Sequence, residues 1–207
     1  MMNKKVVDII NYLNELFPDA KGELIFHNDI SLLVAVVLSA QATDKSVNLV
    51  TPKLFARFPT VYDLANAKVE EVEDIIKSIG LYKAKAKNIV ALSKEIVEKY
   101  NGHVPSNKDD LTSLPGVGNK TAGVVRLELF HTDEFPVDTH VSRISKRLGL
   151  AKSSDEPINI EKKLKKIFPK ECWSHLHHQF IYFGRYFCTA KKPNCEACKI
   201  KEYCKNN

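Results

Sequence analysis

The sequence lacks any apolar run long enough to cross a bilayer. Its longest stretch, Ile30 to Leu38, is broken only by Ser31 and falls well short of the roughly 18 residues that a span requires. It also lacks an export signal: Lys4 and Lys5 precede Val6 and Val7, but Asp8, Asn11 and Asn14 interrupt what would be the apolar region. These absences point to a cytoplasmic protein with no membrane partner. A disulfide framework is missing too, because four of the five cysteines are crowded between Cys188 and Cys204, which suits metal ligation in a reducing compartment. There is no convincing alternation of apolar and polar residues that would mark strands, no repeat and no low-complexity linker. With 44% hydrophobic residues, disorder is excluded as well.

What is present is helical periodicity along nearly the whole chain. Apolar residues recur three and four apart at Val6, Ile9, Ile10, Leu13 and Leu16, again at Val72, Ile75, Ile76 and Ile79, and again at Ile89, Leu92 and Ile96. Breaks fall at residues 18–22, 58–60, 101–105, 114–118, 131–136 and 151–157, where Pro, Gly and Asn gather. About ten short helices with turn-sized connections follow, an all-α protein. Ile30 to Leu38 reads as a buried core helix, and Thr60 and Thr43-Asp44 stand where helix caps belong. The formal net charge of +6 has the sign expected of a protein that meets phosphates, a weak signal by itself.

Three motifs carry chemistry. The first is Leu114-Pro115-Gly116-Val117-Gly118-Asn119-Lys120-Thr121-Ala122, between a helical lead-in and an apolar run. Glycines one residue apart let backbone N–H groups close on an anion, and the following helix N-terminus adds partial positive charge. A plain helix-turn-helix corner would look the same. Lys120 falls in the first turn of the second helix, where the dipole favours a free, nucleophilic amine; alternatively it is a surface lysine that contacts phosphate. The second motif is Val137-Asp138-Thr139-His140-Val141, whose Asp138 could partner that amine or simply cap a helix, with His140 a structural histidine. The third is Cys188, Cys195, Cys198 and Cys204, spaced C-x6-C-x2-C-x5-C. Only Cys195 and Cys198 form the close pair that zinc sites use twice, so the pattern favours a [4Fe–4S] cluster over zinc. Lys191, Lys192, Lys199, Lys201 and Lys205 surround these ligands, where they offset thiolate charge and can reach phosphates. Cys172 lies outside the pattern and reads as a small buried hydrophobe.

In order and separation these motifs resemble the endonuclease III family of helix-hairpin-helix glycosylases, from about Leu16 to the end of the chain. The resemblance takes in Leu38-Ser39-Ala40-Gln41-Ala42-Thr43-Asp44 and Ile79-Gly80-Leu81-Tyr82, which look like the family's two wedges into the base stack. It implies two helical lobes: a barrel over residues 22–130 carrying the hairpin, and a second lobe of residues 1–21 with 131–207 carrying the cluster loop. Damaged duplex DNA would lie in the cleft between them, bound by a monomer. The implied activity is excision of oxidised pyrimidines followed by cleavage of the abasic strand by β-elimination. By resemblance Lys120 attacks C1′ of the flipped nucleotide and Asp138 assists. Gln41 and Leu81 fill the gap in the duplex, while Gly116, Val117, Gly118 and Lys191 hold phosphates.

The sequence departs from the family at two places: the family commonly has a basic residue before the lysine and Asn three residues after it, whereas Asn119 and Gly123 stand here. Asn119 removes a positive charge from the hairpin, and Gly123 puts a weak helix former one turn into the helix. The related adenine- and thymine-mismatch glycosylases share the hairpin, aspartate and cluster but generally lack the lysine, so Lys120 argues against them. A noncatalytic DNA-binding or redox-sensing module would have no use for a paired Lys120 and Asp138.

Overall fold

The computed structural model describes residues 3–205, and among them every regular element is helical. Eleven α-helices follow one another: α1 Lys4–Leu16, α2 Asp29–Ser39, α3 Asp44–Arg57, α4 Val61–Ala65, α5 Val69–Ile76, α6 Tyr82–Tyr100, α7 Lys108–Ser113, α8 Asn119–Phe130, α9 Thr139–Arg147, α10 Pro157–Ile167 and α11 Trp173–Tyr182. The all-α expectation holds. Thr43 and Thr60 cap α3 and α4 through their side chains, as their positions suggest, and Asn28 closes a reciprocal cap on α2. No helix among the described residues is long and apolar enough to cross a membrane.

The chain divides into two units. Glu23–Thr132 forms one, and the described residues before and after it form the other. The core of the first unit is α2, in which every residue from Ile30 to Leu38 is buried, Ser31 included. A helix apolar all round has to be enclosed on all sides, and α3, α6 and α8 pack against it. Gly123 lies on the buried side of α8, whose neighbour is α2. Along α6 the apolar stripe Ala86, Ile89, Leu92 and Ile96 is buried, and so, against its chemistry, is Lys85.

The second unit is built around aromatic rings: Phe135, Phe168 and Phe180 meet one another, and Tyr12 of α1 meets Phe183 and Phe187 edge-on. After α11 the helix widens into one π turn, Phe183–Phe187, which ends at Cys188. The tail that follows is short and polar, and it is fastened to α1 at three points. Tyr203 Oη donates to Asp8 Oδ2 at 2.6 Å, Tyr12 Oη donates to the Ala197 carbonyl at 3.1 Å, and Lys199 pairs with Glu15. Asp8, Tyr12 and Glu15 are four and three residues apart, so one face of α1 serves as the seat of the tail.

Candidate functional site

In the first unit the hairpin joins α7 to α8. Leu114 and Val117 are buried and anchor the turn, while Gly116, Gly118 and Lys120 are exposed. Gly116 is at φ +79, and a methyl group there would meet the Asn88 amide at 2.8 Å, so both conformation and space demand glycine. Gly118 is the N-cap of α8 at φ −95, and nothing stands within 4 Å of where its side chain would be. The two glycines therefore do different work: the first lets the turn form and the second leaves room beside the helix end. Lys120 is the second residue of α8, within the first turn.

The two segments picked out only through resemblance share a backbone peculiarity. Gln41 has φ 55 and Leu81 has φ 60, and both are exposed, Leu81 by 62%. Non-glycine residues cost roughly 1–2 kcal/mol in that left-handed conformation, and a large exposed apolar side chain gains nothing from it. Such strain persists where the surroundings impose it, and it gathers at functional sites. The two segments adjoin: a methyl on Gly80 would lie 3.7 Å from the Gln41 carbonyl.

In the second unit Asp138 is the N-cap of α9, its Oδ1 accepting the Val141 N–H at 2.7 Å. The cap reading and the catalytic reading are thus compatible, since the cap fixes the half-buried carboxylate in orientation. His140 follows it on α9, its imidazole held below the ordinary range by burial, against the opposing pull of the Asp138 charge. Further along, Arg143 donates to the Gly184 carbonyl at 2.6 Å. Arg147 donates to Cys188 Sγ at 3.1 Å and to the Thr189 and Ala190 carbonyls at 2.8 and 3.1 Å. Sequence reasoning missed both arginines, since two basic residues four apart on a helix read as a solvated face.

Cys188, Cys195, Cys198 and Cys204 line one cavity together with Ile144, Leu148 and Phe183. Burial pushes the Cys198 thiol above its ordinary range, and the neighbouring charges of Cys188, Cys195 and Cys204 add to that. A thiol so disfavoured as a free thiolate is one that bound metal would hold deprotonated. A shared cavity lined by four cysteines fits a cluster that takes one thiolate at each corner. Lys191 is exposed on the loop between the first two cysteines. Cys172 is half-buried against the aromatic core rather than fully enclosed.

Residues 34–170 match the model of the HhH-GPD superfamily of base excision DNA repair proteins, and residues 188–204 match that of the iron–sulfur binding domain of endonuclease III. Endonuclease III of Bacillus subtilis is 46% identical over 206 residues, covering 99% of this chain and 94% of its own length. Endonuclease III of Rickettsia conorii is 48% identical over 200 residues, covering 95% of each. Among solved structures, a trapped covalent intermediate of an endonuclease III with DNA superposes with a TM-score of 0.94 at 47% identity, covering 99% of this chain and 97% of the other.

Proposed function

The chain belongs to the endonuclease III family, and from that premise we propose how its own residues perform base excision. It is a bifunctional DNA glycosylase and abasic-site lyase that repairs oxidised pyrimidines, and it carries a [4Fe–4S] cluster. The observation that carries the assignment of roles is the placement of Lys120: exposed, in the first turn of α8, immediately after a hairpin whose Gly118 leaves open space at the helix end.

Backbone N–H groups at Gly116 and Gly118 and the end of α8 take a phosphate of the damaged strand, while the Val117 N–H closes the turn on the Leu114 carbonyl. Gln41 and Leu81 occupy the space of the extruded nucleotide, and their strained, exposed geometry supports that role. The Lys120 amine bonds to C1′ as the glycosidic bond breaks, and the base leaves with a proton. Asp138 takes the proton that the amine sheds and stabilises positive charge on the sugar. The C1′–O4′ bond then opens, O4′ taking up the proton that Asp138 holds, to leave a Schiff base at C1′; loss of a proton from C2′ expels the 3′ phosphate, which cuts the strand. Cys188, Cys195, Cys198 and Cys204 hold the cluster, which ties down the tail and with it Lys191, placed to meet a second phosphate. The enzyme acts as a monomer on duplex DNA with a damaged pyrimidine or an abasic site.

Borohydride tests the nucleophile, because it reduces a Schiff base to a stable protein–DNA adduct. Wild-type enzyme should be trapped, and Lys120→Gln should give no adduct while still binding abasic DNA, since the hairpin amides remain. An adduct formed by Lys120→Gln at the wild-type rate would assign the nucleophile to another amine.

A further inference from the structure

α6 bears Leu81 at its N-terminal boundary, Lys85 one turn on and Asn88 a further turn on, spacings of four and three that set all three on one face. Each touches a different part of the site. Leu81 is one of the two strained residues, and Asn88 packs on Gly116 of the hairpin. Lys85, only 5% exposed, donates from its Nζ to the Leu38 carbonyl at 2.9 Å and to the Ala40 carbonyl at 2.6 Å.

Those two acceptors are the carbonyls of the penultimate residue of α2 and of its cap, the backbone that leads directly into Gln41. Carbonyls at a helix end have no partner within the helix, and a cation there is favoured by the dipole. Burying an ammonium is still costly before such partners are counted, and desolvation does lower the pKa of Lys85. A lysine on the apolar stripe of α6 is therefore a costly way to fill space. What it achieves that a leucine would not is a tie between α6, which carries Leu81, and the end of α2, which presents Gln41.

We propose that Lys85 is a positioning residue for nucleotide extrusion, its ammonium holding Gln41 and Leu81 at one fixed separation so that both enter the duplex together. This rests on the wedge reading of Gln41 and Leu81. Leu81 is thus continuous with α6, and the residue before Gln41 is bound to the same helix through Lys85.

The experiment compares single-turnover excision of a base-paired lesion with cleavage at a preformed abasic site, for Lys85→Met, Gln41→Ala and the double variant. Lys85→Met should lose about tenfold on the paired lesion and about twofold on the abasic site, because extrusion is hardest for a paired base. In the Gln41→Ala background the same substitution should cost little more, since the residue it positions is already gone. Equal losses on both substrates, or losses that multiply in the double variant, would overturn the proposal and leave Lys85 a structural cap. If Lys85→Met does not fold, Lys85→Gln, which keeps two donors on a shorter arm, must show the same substrate split at smaller size; an equal loss on both substrates there overturns it too. Gln41→Ala alone separates the levels of the argument. If it leaves the ratio of the two substrates unchanged, the wedge reading falls; if it shifts the ratio while the Lys85 variants do not, only the tie falls.

Discussion

Replacing Gln41 by glycine should make the protein more stable and less active, and the two effects can be sized from the structure. Gln41 is exposed, so its side chain buries little that would be missed. Its φ of 55 costs roughly 1–2 kcal/mol that glycine does not incur. Glycine gives back about 0.5–1 kcal/mol through the greater freedom of the unfolded chain. The net is a gain of about 0.5–1 kcal/mol, or roughly 2 °C in thermal midpoint for a chain of this size. Gln41→Ala removes nearly the same side chain but keeps the strain, so it should melt close to wild type. Both variants lose the group that replaces the extruded nucleotide. If that group recovers about 1.4 kcal/mol of lost stacking, both should excise a paired lesion about tenfold more slowly. The assay is a thermal melt of the three proteins beside single-turnover excision. A glycine variant no more stable than the alanine variant refutes the strain, and one that excises at the wild-type rate refutes the wedge.

Gly118→Ala should fold normally, because nothing lies within 4 Å of the added methyl, yet bind abasic DNA more weakly if that space is where a phosphate enters. Gly116→Ala should instead destabilise the protein by about 1 kcal/mol or more through its positive φ and the Asn88 clash, read as a lowered melting point. Asp138→Asn keeps an acceptor for the Val141 N–H and asparagine caps as well as aspartate, so folding should survive while excision falls by roughly 10²-fold or more; borohydride trapping on a preformed abasic site should fall less. Cys198→Ser should strip iron from the protein and leave the tail open to protease, checked by metal analysis and limited proteolysis; a protease-resistant tail without iron would show that the contacts with α1 hold it and would contradict the cluster's role in tying it down.

The parts of this molecule legible in its sequence are those where one residue type has one physical use. Leu114 to Gly118 showed a turn, Thr43 and Thr60 showed caps, and the four clustered cysteines showed a shared metal centre. Ile30 to Leu38 announced an enclosed helix by having no polar face. Backbone conformation was not legible at Gln41 and Leu81, because neither residue favours the left-handed region; the surroundings impose it, and only the resemblance pointed there. Lys85 was hidden for the opposite reason. It sits in register with Ala86 and Ile89, but a single lysine on an apolar stripe reads as an imperfection of the pattern until its two carbonyl partners are in place. Arg147 likewise gains its meaning from Cys188, 41 residues away.

The fastening of the tail to α1 bears on the order in which the protein can be made. Asp8 and its partner Tyr203 are 195 residues apart in sequence, with all of Glu23–Thr132 between them. During translation that intervening unit emerges whole and can fold while α1 waits without the face it will cover, since units fold as they leave the ribosome. The four cysteines follow that unit in the chain. The cluster ligands are therefore synthesised after both α1 and the whole intervening unit, so the seat on α1 and the segment it receives meet only once Glu23–Thr132 has been made.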